Sequence, residues 1–325
     1  MVRDPERFFS ELKKKRVGVV GLGVSHFALI RLMLKKGIGV TVLDKREMEA
    51  LGEDGRTLEK EGARFILGDG YLDALTSFDV LFRTPGMYFL SDALNKARAA
   101  GVSVVSEMEV FFDLCPCRVF AVTGSDGKTT TSTLISEFFK AEGKTVHLGG
   151  NIGRALLPQI EEIKPEDICV VELSSFQLIS MRQSPDVAVV TNVAPNHLDV
   201  HRDMQEYIDA KKNILLHQNG FSRTVLNFEN TVTREEMAPL VRGELCWFSK
   251  ERPVENGSFL RGDGMLCRVR HGEAAPVVHR DEIRIPGMHN VDNFLTAVAA
   301  VGTEVRDESI RKVAREFSGV EHRIE

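Results

Sequence analysis

The residues best suited to chemistry are Gly124-Ser125-Asp126-Gly127-Lys128-Thr129, inside the stretch VFAVTGSDGKTTTSTL. An apolar run leads into a tight turn, and a polar helix start through Thr130 follows. Gly124 and Gly127 remove side chains where a backbone must wrap an oxyanion, and the first N–H groups of a helix opening at Lys128 lack intrahelical partners. Lys128 would meet the outer phosphates of ATP as a point charge, and the Thr129 hydroxyl would ligate a magnesium ion shared with them. The pattern is shorter than the full phosphate loop, because Val122 stands where that motif has its first glycine. Asp126 would repel a polyphosphate unless it points away or toward the metal.

Three further clusters lie downstream. Glu172 ends an apolar strand and opens ELSSFQL, a place from which a carboxylate reaches a phosphate-bound metal; the plainer reading is an exposed loop acid. Asn196-His197-Leu198-Asp199-Val200-His201 packs two imidazoles and a carboxylate after another strand, without the cysteines or spacing of a structural zinc site, so a hard metal or a substrate fits at least as well. Tyr207-Ile-Asp-Ala-Lys211-Lys212 lies on the next helix. A lysine pair is ordinarily a solvated face, but burial lowers an amine's pKa, and a neutral amine captures carbon dioxide as a carbamate that offers oxygens to a metal.

The elements that must position these groups alternate. Strands are expected at 16–20, 39–43, 63–67, 79–82 and 102–105, with helices at 25–36 and 91–100 between them, which predicts a parallel sheet covered on both faces. Gly21-Leu22-Gly23 and the acidic Asp44 resemble a dinucleotide fingerprint, but His26 replaces its third glycine and disfavours NAD. Arg83-Thr84-Pro85-Gly86 is a turn at a strand's C-terminal end, where such sheets bind ligands and where simple chain reversal is an equal reading. A second α/β unit then carries the loop, with strands at 145–148, 168–173, 187–191 and 224–227. Residues 244–286 read as short strands in hairpins, including EIRIP at 282–286, and helices follow at 288–302 and 307–316. The fold class is therefore α/β: a Rossmann-like parallel-sheet domain, then a central P-loop-containing α/β domain with a small β-hairpin subregion.

At 325 residues the chain has room for about two domains. A net charge of −5 without a basic run argues against nucleic acid as a partner. The sequence shows neither a signal peptide's apolar region nor a membrane-span-length apolar run. Five scattered cysteines argue against a disulfide framework and for a reducing, cytoplasmic setting, and a metal at the lone Cys115-Pro-Cys117 is the less favoured reading. A monomer is expected.

Taken in order, TGSDGKTT, GNIG (150–153), ELSSFQL (172–178), NHLDVH with YIDAK, GMHNVDN (287–293) and FSGVEHRIE at the end resemble the Mur ligases, cytoplasmic ATP-dependent enzymes that build the peptide stem of bacterial cell-wall precursors. ELSSFQL and the GLG-type first domain with its TPG turn are most similar to the D-glutamate-adding branch. The resemblance implies domains at 1–106 for the UDP substrate and 107–319 for ATP, with 320–325 beginning the linker to a third domain. The family has that third domain, so the expectation is a chain that binds the UDP substrate but ligates poorly. It also implies that Gly124 to Thr130 hold ATP, with two magnesium ions served by Thr129, Glu172, His197 and a carbamylated Lys211 (Lys212 if the register slips). Lys128, Glu172, His197 and Lys211 would be the catalytic set. Asn290 and Asn293 would contact adenine, and Arg323 would reach the phosphates. Asn151, Ser174 and Gln177 would face UDP-N-acetylmuramoyl-L-alanine, whose UDP end Val24, Asp44, Lys45, Thr84 and Gly86 would line. D-glutamate is the amino acid then implied. The competing readings are a family member adding another amino acid and a non-catalytic nucleotide-binding module.

Overall fold

The first unit is built on strands that are buried on both faces, as β1 (Val17–Val20) shows at all of its positions. After α1 (Pro5–Leu12) and β1 come α2 (Val24–Lys35), β2 (Val40–Asp44), α3 (Met48–Lys60), β3 (Arg64–Leu67), β4 (Val80–Arg83), α4 (Asp92–Ala99), β5 (Ser103–Val105) and α5 (Glu107–Leu114). The structure, a computed structural model, describes residues 4–195 and 200–320. The sheet runs β3-β2-β1-β4-β5, parallel throughout. Strand order reverses beside β1, so the exits of β1 and β4 flank a crevice where such sheets take ligands. Two helices were not expected. In α3 the glycines at 52 and 55 dilute the helical signal, and Gly52 leaves helical geometry at φ 64°. At α5 a capping box closes the start: the Glu109 N–H donates to Ser106 Oγ and the Ser106 N–H to Glu109 Oε2 (2.8 Å).

By its contacts the first unit comprises residues up to Pro116 together with Arg154–Ile163, and the second comprises Cys117–Gly153 and everything from Lys164. The returning segment packs on α2 and α5.

In the second unit the order is β6 (Arg118–Thr123), α6 (Lys128–Ala141), β7 (Val146–Gly150), β8 (Ile168–Glu172), α7 (Ser175–Leu178), β9 (Val187–Val190), α8 (Met204–Leu216), β10 (Arg223–Asn227), β11 (Glu244–Ser249), β12 (Gly257–Leu260), β13 (Met265–Arg270), β14 (Glu273–His279), α9 (Met288–Val301) and α10 (Asp307–Glu316). They form one sheet, β14-β13-β12-β11-β10-β9-β6-β8-β7. Residues 244–286 depart from the expected run of hairpins. β11 joins β10 in parallel and β12 joins β11 in parallel, leaving only β12-β13-β14 antiparallel. The stretch 282–286 is not a strand. Ile283 and Ile285 are buried, but they reach the core from irregular chain whose Arg284 N–H donates to the Ala314 carbonyl, and Pro286 has no N–H to offer a ladder.

Alternation along β6 sets the two faces of this sheet. Phe120 and Val122 join a core with Leu134, Phe138 and Phe139 of α6 and Phe294, Leu295 and Val298 of α9. Phe120 stacks obliquely on Phe139 at 5.0 Å, and Phe138 meets the edge of Phe294 at 5.9 Å. Thr123, on the other face, looks toward α8. Replacing the fully buried Phe138 by alanine is expected to cost about 3–5 kcal/mol of stability through lost contacts and a cavity. Denaturant unfolding of Phe138→Ala measures it, and a loss under about 1 kcal/mol would show that the site collapses without penalty.

Candidate active site

Three neighbouring strands of the second unit, β8, β6 and β9, deliver their C-terminal ends to one place. From β6 the loop turns through Gly124 (φ 154°), where a Cβ would overlap Thr191 Oγ1, and Gly127 (φ 76°), where one would overlap Asn293 Oδ1. Gly127 caps α6, and Lys128 opens it. The Lys128 ammonium curls back over the loop, donating to the carbonyls of Gly124 (3.0 Å) and Ser125 (2.8 Å). Asp126 is exposed, so its carboxylate points away from the loop's interior.

Glu172, at the end of β8, has no exposed surface. The Thr129 hydroxyl donates to its Oε2 at 2.7 Å, and Asn151 Nδ2 donates to its Oε1 at 3.0 Å. Among the described residues only these neutral groups meet that carboxylate. A buried carboxylate beside a hydroxyl, without a cationic partner, is a hard-oxygen donor set that suits magnesium.

Lys211 comes from α8 on the opposite side. Its residue is 1% exposed, and Nζ donates to the Gly124 carbonyl at 2.9 Å and to Thr123 Oγ1 at 3.3 Å, lying 4.6 Å from the centre of the Tyr207 ring. Burial, reinforced by the Lys128 charge and opposed by Asp126, pushes this ammonium down to about 7. Lys212 is different: it pairs with Asp209 and Glu236, which outweigh its partial burial and hold its pKa above the usual value. Of the two lysines, Lys211 is the buried amine.

Ser174 and Gln177 form a capping box on α7, with the Ser174 N–H donating to Gln177 Oε1 at 2.9 Å. His201 is buried; its Nε2 lies 2.9 Å from Ser175 Oγ, and its ring stacks on Phe176. Asn293 Nδ2 donates to Asn290 Oδ1 (3.2 Å), and Asn293 Oδ1 accepts from Thr131 (3.3 Å), which sets both asparagines of α9 beside the loop. His197 and Arg323 lie outside the described residues.

The first unit has its own cluster. Asp44 accepts from the Leu22 N–H (2.8 Å) and from Arg46, whose Nη2 also reaches the Leu22 carbonyl (2.6 Å). Burial alone would raise this carboxyl, but the bonds from Arg46 and Leu22 outweigh it and hold it below the usual value. Val24 is 91% exposed at the start of α2, and Lys45 and Gly86 are exposed as well. Thr84 is held by its N–H to the Val20 carbonyl (3.1 Å). Arg83 is fully buried, and Nη1 donates to the carbonyls of Thr84 (3.2 Å) and Met87 (2.9 Å), pinning the turn; burial pushes its pKa down to about 10. His26 sits where the fingerprint has glycine, its Nδ1 lying 2.7 Å from the Gly21 carbonyl oxygen.

Residues 122–301 match the Mur ligase middle domain and residues 15–106 match the Mur ligase MurD-like N-terminal domain. The chain belongs to the Mur ligase family. It is 49% identical over 318 residues to the UDP-N-acetylmuramoylalanine–D-glutamate ligase of Acetivibrio thermocellus, covering 98% of this chain and 68% of that protein. The enzyme of the same name from Clostridium botulinum is 48% identical, covering all of this chain and 70% of the relative. Among solved structures, the Neisseria UDP-N-acetylmuramate:L-alanyl-gamma-D-glutamyl-meso-diaminopimelate ligase superposes with a TM-score of 0.63 at 18% identity, over 94% of this chain and 99% of that one, a likeness of fold.

Arg46 in the first unit's cluster and Thr191 and Asn192 in the second's were not singled out in sequence, while Arg83 and Tyr207 were named only as parts of a turn and a helix. Arg46 follows Asp44 by two residues and Arg83 lies within four residues of its acceptors at Thr84 and Met87, so their spacing was a readable signal; Thr191 and Asn192 bond partners dozens of residues away.

Lys211 has a testable signature. Its folded pKa lies below the unfolded value, so between about 7 and 10.5 the unfolded chain holds a proton that the folded one lacks, and stability rises with pH across that window. The stability of the wild type relative to Lys211→Met is therefore expected to climb from pH 7 to pH 10 and to stay flat below 7. Urea unfolding at several pH values checks this, and a flat difference throughout would show that the amine titrates normally.

Proposed function

We infer that this chain is an ATP-dependent amide ligase that joins D-glutamate to UDP-N-acetylmuramoyl-L-alanine in peptidoglycan precursor synthesis. The ATP-dependent chemistry rests above all on one observation: Glu172 is buried against Thr129 directly behind a loop whose Gly124 carbonyl takes both Lys128 and Lys211. The choice of amino acid rests on the relatives, which are 44–49% identical over nearly the whole chain and are named for D-glutamate.

In this reading Gly124 to Thr130 hold the ATP phosphates, and Lys128 neutralises the charge that builds as two anions meet. Thr129 and Glu172 would hold one magnesium ion, and Lys211 with His197 a second. Those ions supply further charge neutralisation at the phosphoryl group. The buried amine of Lys211, about half of it neutral at pH 7, is suited to take up carbon dioxide with loss of a proton, giving the carbamate. The substrate carboxylate attacks the γ-phosphorus, ADP leaves, and an acyl phosphate forms. The D-glutamate amine then attacks the acyl carbon and phosphate leaves.

Asn290 and Asn293 serve adenine, and Arg323 the phosphates. Asn151, Ser174 and Gln177 face the muramoyl peptide, and Val24, Asp44, Lys45, Thr84 and Gly86 the UDP end. The domains follow as 1–106 for UDP substrate, 107–319 for ATP and 320–325 as the linker's start. A monomer in the cytoplasm suits the reading, as do five free thiols. No helix among the described residues is long and apolar enough to cross a membrane.

Phosphate release from ATP is expected only when UDP-N-acetylmuramoyl-L-alanine, magnesium and D-glutamate are all present. Lys128→Ala should lower kcat by about 10²-fold or more. Release driven by a different amino acid, or absence of both release and UDP-substrate binding, overturns the assignment.

A further inference from the structure

The loop that would hold phosphate does not hold its own shape. Its first amides turn inward: the Ser125 N–H donates to the backbone carbonyl of Asn192 (3.0 Å) and to Asn192 Oδ1 (3.1 Å), and the Asp126 N–H donates to the same Oδ1 (3.0 Å). Thr191 Oγ1 donates to the Asp126 carbonyl at 2.6 Å, and the Ala194 N–H donates to Ser125 Oγ at 2.9 Å. The segment leaving β9 thus grips two loop residues, Ser125 and Asp126. That segment is gripped in turn from β10: Asn227 Nδ2 donates to the Thr191 carbonyl (2.9 Å), and Asn230 bonds both sides of Val193, Nδ2 to its carbonyl (3.0 Å) and Oδ1 from its N–H (3.3 Å). The side chains bridging the three strand ends are neutral amides and the hydroxyls of Thr191 and Ser125. Beside a triphosphate that is physically sensible, because a carboxylate would bind the loop amides as well but would repel the ligand.

The Ser125 and Asp126 amides are occupied, so the anion-facing set is Gly127 and the first turn of α6.

We propose that Thr191, Asn192, Asn227 and Asn230 form a polar strap that presets the phosphate loop for nucleotide, with Asn192 as its main positioning residue and Asn230 acting through it. This rests on the nucleotide reading of the loop.

The test measures the affinity of ADP with magnesium by calorimetry, the KM for ATP and, separately, the affinity for the UDP substrate. Asn192→Ala is expected to weaken ADP binding and raise the KM for ATP about tenfold, consistent with losing two backbone-anchoring hydrogen bonds, while UDP-substrate affinity stays within twofold. Asn230→Ala, which touches no loop atom, should give the same pattern at about threefold, and the double variant should be no weaker than Asn192→Ala alone. The Asn230 variant keeps the test open if Asn192→Ala does not fold. Unchanged nucleotide affinity in both variants, or equal losses for nucleotide and UDP substrate, overturns the strap while leaving the ligase reading in place. Absence of ADP binding by the wild type overturns both.

Discussion

One carbonyl oxygen organises the second unit. Gly124 O accepts Lys128 Nζ at 3.0 Å from the loop's own helix and Lys211 Nζ at 2.9 Å from the other face of the sheet. Two ammonium groups on one oxygen repel each other, and Lys211 is the one buried away from water, so its charge is the one the arrangement gives up. Gly124 makes the double contact feasible, since any side chain there would strike Thr191. An amine that gives up its proton near pH 7, within reach of a phosphate loop, is thereby a product of packing rather than of residue type.

The same sheet logic runs in each unit. Parallel strands end together, so whatever leaves their C-terminal edges converges without long-range design. In the second unit β6, β8 and β9 deliver the loop, Glu172 and the Thr191–Ala194 segment. In the first, β1, β2 and β4 deliver Gly21 to Gly23, Asp44 and the Thr84 turn. Each cluster then has cationic or polar anchors that fix its turns: Arg83 and Arg46 in one case, Asn192 and Thr191 in the other.

Local residues also carry double duty. Ser174 and Gln177, proposed to face substrate, already cap α7, which orients them at little entropic cost. Asn151 bonds Glu172 through its side chain and through its own N–H (2.8 Å), which ties the GNIG turn to the metal-suited carboxylate. Among the described residues Glu172 is buried with neutral donors only, a setting whose desolvation cost a cation would offset.

The amino-acid sequence by itself determined the alternation of strand and helix, the phosphate loop, and the order of motifs that marks the family, because these depend on neighbours a few residues apart. It also picked out Glu172 and the Lys211–Lys212 pair. Sequence did not distinguish those two lysines, since both lie on one helix and only packing against β6 decides which is desolvated. It misjudged 244–286, where the choice between hairpin and parallel crossover depends on which strand edge lies open. It was silent on Thr191 and Asn192, whose roles arise from partners brought near by the fold. Tertiary structure alone decided charge state and loop shape, because both are set by burial and by hydrogen bonds between segments that are distant along the chain.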